Sequence, residues 1–166
     1  DPGAREEVRA LLEGSPRRRD LLIEYLHRIQ DRYRHLSAAH LVAPADEMNL
    51  AMVEVYEVAT FYHHFDVVKE GETVPPAITV RVCNSIACEM AGPPGLLETL
   101  QGIHGMDVRV LPAPCIGRCE TAPNAVIGQN PLPWATVEGV TELVTAGAVT
   151  HPPPGSGGRH PHMDIV

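Results

Sequence analysis

Aromatic residues are scarce in this sequence, and long apolar runs are missing from it. Phe, Trp and Tyr make up 4% of the 166 residues, whereas hydrophobic residues make up 44%, so an aliphatic core is available. This length suits one domain with a helical extension. No apolar run approaches the roughly 18 residues that a membrane-spanning helix requires, so no transmembrane segment is predicted.

Basic residues are also in short supply. The chain has 13 Lys and Arg against 21 Asp and Glu, which gives a formal net charge of −8. Eight of the basic residues lie in the first 36 positions, so residues 37–166 hold five basic against fourteen acidic residues. Phosphate binding needs a basic face, and nucleic acid is therefore not expected as a partner.

Motifs for nucleotide binding and covalent catalysis are missing as well. The sequence contains no G-x-G-x-x-G, no P-loop and no arrangement typical of a Ser or Cys nucleophile. We therefore expect no catalytic residue and no NAD or flavin bound by this chain alone. Nothing marks secretion, so a cytoplasmic location is expected. The chain begins at Asp1 rather than at a methionine, which leaves open a preceding segment.

The four cysteines of the chain form two close pairs. Cys83 and Cys88 have four residues between them, Cys115 and Cys119 have three, and 26 residues separate the pairs. Two iron atoms bridged by two sulfides need four thiolates, two on each iron. The sequence supplies that number and no more, so a 2Fe–2S cluster on these four cysteines is the favoured interpretation.

Other chemistries of four cysteines stay open from spacing alone. Structural zinc usually takes C-x(2)-C knuckles, and the gaps here are looser. A plant-type ferredoxin places its third cysteine close behind the second, and a Rieske centre needs histidine ligands that neither pair has beside it. Disulfides are rare in a cytosolic protein. Zinc ranks second, and disulfides or free thiols rank third.

The N-terminal third has the pattern of helices. Apolar residues of Asp20–Arg34 recur at helical spacing and predict one amphipathic helix. Pro44 is expected to open a second helix at its first turn, with Met48, Met52 and Val53 facing inward. A further helix is predicted over Tyr56–Phe65. Its aromatic residues are expected to pack in the core: Tyr56, Phe61, Tyr62 and Phe65.

The remainder of the chain alternates between strands and helices. Val68–Ala77 contains two prolines and is predicted to be a linker. Strands are predicted at 78–82, 106–111 and 125–127, an edge strand at 132–135, and helices at 96–101 and 136–145. Each cysteine pair follows a predicted strand, so both cysteine loops are expected at one end of the sheet.

Three sequence segments together resemble a known family. They are V-C-N-S-I-A-C-E-M-A-G from Val82, C-I-G-R-C-E-T-A-P from Cys115, and E-V-A-T-F-Y-H-H-F upstream. The chain resembles, from about Leu21 to about Val144, the thioredoxin-like 2Fe–2S subunits of NAD-linked oxidoreductases. These include the 24 kDa subunit of respiratory complex I, a subunit of NAD-reducing hydrogenases and the gamma subunit of NAD-dependent formate dehydrogenases. Residues 54–71 and 88–92 look most similar to the formate dehydrogenase gamma subunit.

The resemblance implies a fold and a domain organisation of mixed α+β and α/β character. An N-terminal helical bundle (1–67) would dock on a neighbouring subunit. The linker predicted at 68–77 would lead to a thioredoxin-like 2Fe–2S domain (78–148). Composition rather than the resemblance predicts the extended tail rich in Pro and Gly (149–166).

The resemblance also implies a cofactor, partners and a function. One 2Fe–2S cluster on Cys83, Cys88, Cys115 and Cys119 would lie next to the FMN of a flavoprotein subunit that binds NAD. A molybdenum or tungsten formate dehydrogenase subunit would complete the complex. The corresponding subunit of complex I or of a hydrogenase is the alternative. A zinc-stabilised thioredoxin-like interaction module is the alternative of another class.

Gly117 is the further candidate site residue. It lies between the two cysteines of the second pair, where a residue without a side chain lets the loop curl close to the sulfurs. Backbone N–H groups of such a loop can point at sulfur and stabilise added negative charge. Gly117 is therefore expected to tune the cluster rather than to bind it.

Overall fold

The structure is a computed structural model that describes residues 2–103 and 107–152. The chain divides between Ala77 and Ile78 into two compact units, which are described separately. The first unit contains α1 (Pro2–Leu11), α2 (Leu22–Tyr33), α3 (Ala38–Met48) and α4 (Met52–Phe61). Two short parallel strands, β1 (Leu36–Ser37) and β2 (Val67–Val68), complete it. No helix in the described ranges is both long and apolar enough to cross a membrane.

The predicted amphipathic helix is confirmed as α2. Its apolar stripe is buried at Leu22, Tyr25, Leu26 and Ile29, and these side chains belong to the core of the first unit. The helix ends at Tyr33, because the next residue, Arg34, has a left-handed φ of 66° that stops the helical turn. The periodicity of apolar residues therefore predicts this helix correctly, because its buried face extends over several helical turns.

The predicted start of the next helix at Pro44 is wrong. The α3 helix begins after Ser37, whose hydroxyl accepts a hydrogen bond from the His40 N–H while the His40 ring accepts one from the Ser37 N–H. This N-terminal cap starts the helix six residues before Pro44, which consequently lies inside it. Asn49, with φ of 54°, then ends α3.

Two of the three side chains expected to face inward on that helix are exposed. Met48, at the end of α3, is buried, whereas Met52 and Val53 lie in the first turn of α4, a separate helix that begins after Ala51, and are exposed. The α4 helix ends at Phe61 rather than at Phe65. Of the four aromatic residues predicted in the core, only Phe65 is buried, and the other three are exposed: Tyr56, Phe61 and Tyr62.

The second unit is a four-stranded sheet with helices. Its elements are β3 (Ile78–Cys83), α5 (Ile86–Ala91), α6 (Leu96–Ile103), β4 (Val108–Ala113), β5 (Ala125–Ile127), β6 (Asn130–Leu132) and α7 (Val137–Thr145). The strand order is β4-β3-β5-β6. The β3 and β4 strands are parallel, whereas β5 is antiparallel to both β3 and β6. Its core is aliphatic and is formed by side chains such as Val80, Leu100, Ile127 and Val140.

Most predicted elements of this unit are present, although α6 ends two residues later than predicted and three further differences concern α5, β4 and the edge strand. The α5 helix was not predicted, β4 extends two residues further than expected, and the edge strand lies at Asn130–Leu132 rather than at 132–135. Met106, the expected start of β4, lies outside the described residues, as does most of the predicted tail. Val149, the first tail residue, is bound to the sheet because its carbonyl accepts a hydrogen bond from the Gln129 N–H at 2.7 Å.

Candidate metal centre

The parallel pairing of β3 and β4 brings the two cysteine segments to one edge of the sheet. Cys83 is the last residue of β3 and is in register with Ala113, the last residue of β4. Cys115 follows two residues later. The Asn84 N–H donates to the Ala113 carbonyl at 3.0 Å, so the segments remain paired where the strands end. The expectation that both cysteine loops open at the same edge is therefore confirmed.

The first cysteine pair is buried. Cys88 lies in α5, the short helix that begins directly after Ser85, and both sulfur-bearing residues are shielded from solvent. Burial is the largest single influence on Cys83 and opposes its ionisation, but four hydrogen bonds together outweigh burial and lower the pKa of Cys83. They come from the Ser85 backbone, the Cys88 thiol, the Ser85 hydroxyl and the Ile116 backbone. Burial and the hydrogen bond to Cys83 raise the pKa of Cys88, against an opposing contribution from Asn124.

The second cysteine pair is exposed. The sulfur atoms of Cys115 and Cys119 are 3.4 Å apart. The Gly117 N–H donates to the Cys115 sulfur at 3.4 Å, and Gly117 has a φ of 77°, in the left-handed region that favours glycine. The hydrogen bond with Cys115 and its charge raise the pKa of Cys119, and burial and the charges of Cys88 and Cys83 add to the rise. The two pairs are thus close enough to interact electrostatically.

The donor groups fit a two-iron cluster better than a single ion. All four cysteines are free thiols. A structural zinc site needs four ligands around one ion. Two separate thiol pairs on neighbouring loops instead match the two irons of a 2Fe–2S cluster, each of which takes two thiolates.

Two residues that sequence reasoning did not assign connect the two loops. Asn124 is buried, and its side-chain nitrogen lies 3.7 Å from the Cys88 sulfur and 2.6 Å from the Arg118 carbonyl oxygen. Gly92 ends α5 where a Cβ atom would lie 2.9 Å from the Cys88 carbonyl oxygen and 3.1 Å from the Pro123 Cβ. The sequence signal for Asn124 is a polar residue directly before the apolar strand Ala-Val-Ile, close behind the last cysteine.

This fold and this set of donors define the class of small iron–sulfur electron carriers. The chain belongs to the thioredoxin-like [2Fe-2S] ferredoxin family, whose family pattern matches residues 8–147. It is therefore an electron-transfer protein whose cofactor is a 2Fe–2S cluster.

Curated relatives are similar over most of their length. The E subunit of the NADH-quinone oxidoreductase of Aquifex aeolicus (strain VF5) is 27% identical over 139 residues, which are 78% of this chain and 84% of the relative. An E-type subunit of the same enzyme in Rhizobium meliloti (strain 1021) is 29% identical, over 76% of this chain and 77% of the relative. The HndA subunit of the NADP-reducing hydrogenase of Solidesulfovibrio fructosivorans is 26% identical, over 75% of each chain.

A solved structure supports the fold alone. The crystal structure of an NAD+-reducing [NiFe]-hydrogenase in the air-oxidized state superposes with a TM-score of 0.57 at 22% identity. The match covers 76% of this chain but only 23% of the hydrogenase chain, so this protein corresponds to about a quarter of that longer chain.

Proposed function

We propose that this protein is the electron-transfer subunit of an NAD-linked oxidoreductase, with one 2Fe–2S cluster bound by Cys83, Cys88, Cys115 and Cys119. The observation that carries the proposal is the parallel pairing of β3 and β4, which brings two thiol pairs to the same edge of one sheet. When bound, such a cluster accepts and returns one electron at a time. Gly117 supports it by donating its N–H to the Cys115 sulfur.

The partner would be a flavoprotein subunit that binds FMN and NAD. This chain has no dinucleotide fingerprint, so hydride chemistry must lie elsewhere. FMN can exchange single electrons, whereas NAD takes two as hydride, so a one-electron centre is useful next to FMN. The isolated chain is accordingly expected to have no enzymatic activity of its own.

The helices of residues 1–67 would form the docking bundle, and 68–77 would link it to the cluster domain at 78–148. Support comes from α4, whose exposed side chains include several large apolar ones. Phe61 is 80% exposed, and Met52, Val53, Tyr56 and Tyr62 are also accessible. Exposed apolar groups concentrated on one helix and its end are typical of protein interfaces.

Three complexes are candidates for the parent complex of this subunit. The similarity of residues 54–71 and 88–92 to the gamma subunit favours a cytoplasmic NAD-dependent formate dehydrogenase with a molybdenum or tungsten catalytic subunit. The curated relatives are named as subunits of NADH-quinone oxidoreductase and of NADP-reducing hydrogenase, and they favour the equivalent position in one of those complexes. Purification of the native complex under anaerobic conditions, followed by identification of its subunits, decides between them.

Analysis of anaerobically purified protein tests the cofactor and its ligands. We expect two irons and two acid-labile sulfides per chain, a brown colour and a spin-half paramagnetic signal after reduction. Serine at any of the four cysteine positions replaces a soft thiolate by a poorly ionised hydroxyl and should abolish or strongly perturb this spectrum. Ala87→Ser, between Cys83 and Cys88 but without a thiol, is the matched control. Stoichiometric zinc without iron would refute the proposal in favour of a zinc-stabilised interaction module.

A further inference from the structure

Asn124 is the most completely buried polar residue near the cysteines. Its relative exposure is 1%, and it lies directly before β5, between the two cysteine loops. Its backbone carbonyl accepts a hydrogen bond from the Cys83 N–H at 3.0 Å. A buried amide side chain must find partners for its oxygen and its two N–H groups, and the identity of those partners fixes its orientation.

The neighbours of the Asn124 side chain allow only one orientation of the amide. The oxygen accepts a hydrogen bond from the Thr121 hydroxyl at 2.8 Å, and the nitrogen lies 2.6 Å from the Arg118 carbonyl oxygen. Exchange of the amide nitrogen and oxygen would place two acceptor oxygens against each other at that distance. The nitrogen therefore faces the loop of Cys119, and its second N–H is available to the Cys88 sulfur at 3.7 Å.

We propose that Asn124 is a positioning residue that raises the reduction potential of the cluster through its N–H···S hydrogen bond to Cys88. This inference rests on the proposed function, because it requires Cys88 to be a cluster ligand. Reduction adds one negative charge to the iron–sulfur group, and part of that charge resides on the sulfurs. A donor aimed at a ligand sulfur stabilises the reduced form more than the oxidised form, so the potential rises.

Burial strengthens this effect of the Asn124 amide. Cys88 and Asn124 are both shielded from water, so solvent competes little for the sulfur, and the field of the N–H dipole is weakly screened. The same amide binds the Arg118 carbonyl, one residue before Cys119. Asn124 thus acts on one ligand of the buried pair and holds the backbone next to one ligand of the exposed pair.

Redox titration of the full chain with its cluster tests the inference. Asn124→Leu keeps similar volume but removes the donor, and Asn124→Ala removes the side chain. In both variants the equilibrium constant for reduction of the cluster should fall about tenfold. For a one-electron couple this lowers the reduction potential by ~59 mV. Thr121→Val is the matched control, because it removes the hydroxyl on the other end of the amide and leaves the N–H···S contact. Its potential should equal that of the wild type.

The possible outcomes separate a tuning role from a purely structural one. Unchanged potentials in loaded Asn124 variants, or an equal shift in Thr121→Val, would overturn the inference. If the Asn124 variants take up no cluster, wild-type protein labelled with ¹⁵N in asparagine side chains decides. Pulsed paramagnetic resonance of the reduced cluster should then detect a coupling to ¹⁵N. The coupling should persist in Asn84→Ser, which removes the other asparagine beside a cysteine. Absence of the coupling refutes the contact between Asn124 and Cys88. Failure of the proposed function would instead appear as wild-type protein without iron.

Discussion

Three glycines of the second unit have different structural roles: Gly92, Gly102 and Gly117. At Gly92 an added Cβ would meet the Cys88 backbone oxygen at 2.9 Å, so lack of a side chain permits close packing. At Gly117 the space is open, but the φ of 77° disfavours any other residue. Gly102, in α6, has neither constraint. Substitutions at these three positions therefore test three effects separately: steric crowding at Gly92, backbone strain at Gly117 and helix propensity at Gly102.

Alanine substitutions at these glycines should give three distinct results. Gly92→Ala should destabilise the protein by about 1–3 kcal/mol and lower cluster content, because it forces α5 away from Pro123. Gly117→Ala should cost about 1–2 kcal/mol through its left-handed φ. Gly102→Ala, the control, should be neutral or stabilising by about 0.5–1 kcal/mol. Urea unfolding and iron content measure the effects, and equal results at Gly92 and Gly102 would contradict the crowding at α5.

Helices and strands were predictable where a buried face repeats or a cap is explicit. The apolar stripe of α2 and the alternation of β3 revealed both elements. The six-residue α5 helix is too short for a periodic signal, and it escaped prediction for that reason. The α3 helix begins after the Ser37 cap, whereas the prediction took Pro44, which lies inside the helix, as a residue of its first turn. The exposure of Phe61 depends on tertiary packing, which hydrophobicity along the chain does not report.

The same distinction applies to the candidate site. The cysteine residues and the common edge of their loops could be inferred from spacing and from the strands that precede them. The contact between the Asn124 side chain and Cys88 could not, because it joins residues that are 36 positions apart in the sequence. A buried hydrogen bond of this kind has no periodic or spacing signature.

The junction of α1 and α3 depends on one carboxylate. Glu47 accepts hydrogen bonds from Arg9 at 2.8 Å and from Arg5 at 3.2 Å, and Arg17 lies 3.7 Å away. The hydrogen bond from Arg9 lowers the pKa of Glu47 to about 2, against the opposing effect of burial and with further help from Arg5. Since the arginines are partly exposed, solvent screening limits the contribution of this cluster to about 1 kcal/mol.

Replacing Glu47 should change the pH dependence of stability. A carboxyl whose pKa falls on folding stabilises the protein above its unfolded pKa of 4.5, and the contribution is lost as the pH falls toward about 2. Glu47→Gln should therefore be less stable than the wild type by about 1 kcal/mol at pH 7, and the difference should disappear toward pH 2. Urea unfolding followed by circular dichroism measures it. Glu24→Gln, which breaks only the surface pair with Arg28, is the control, and a pH-independent difference would contradict an ionic origin of the effect.

The exposed end of α4 offers a test of docking. Phe61→Ser should weaken binding to the flavoprotein subunit by at least about 1–2 kcal/mol if Phe61 is a central contact. Cluster content and unfolding free energy should stay near those of the wild type, because this side chain is already exposed in the free chain. Ile103→Ser, at an exposed apolar position of α6 in the second unit, is the control. Equal affinities for all three proteins would exclude Phe61 from the interface.

Two compact units with separate cores make up the whole molecule. The first has a core that includes Tyr25, Leu26 and Ile29, and the second has one that includes Val80, Leu100 and Val140. All four cysteines lie in the second unit. The division suggests that iron binding and subunit association can be lost independently of each other.

Truncation of the whole molecule tests that independence. A chain that begins at Val68 should retain the visible spectrum of the cluster but bind the flavoprotein subunit more weakly. The full chain is the reference, and neither protein should oxidise NADH with an artificial acceptor. Pull-down with the flavoprotein and absorbance spectra provide the measurements. Undiminished association of the truncated chain, or NADH turnover by the full chain alone, would contradict the proposed division of roles.

The exposure of the second cysteine pair has a consequence for handling the protein in air. The Cys115 and Cys119 sulfurs, 3.4 Å apart and accessible to solvent, need only a short approach to reach the ~2.05 Å of a disulfide bond. Before iron is inserted, an oxidant that removes two electrons and two protons from these thiols would close that bond. A chain with this disulfide bond cannot bind iron through Cys115 and Cys119 until a reductant cleaves the bond. The yield of reconstituted protein should therefore depend on the order in which reductant, iron and sulfide are added.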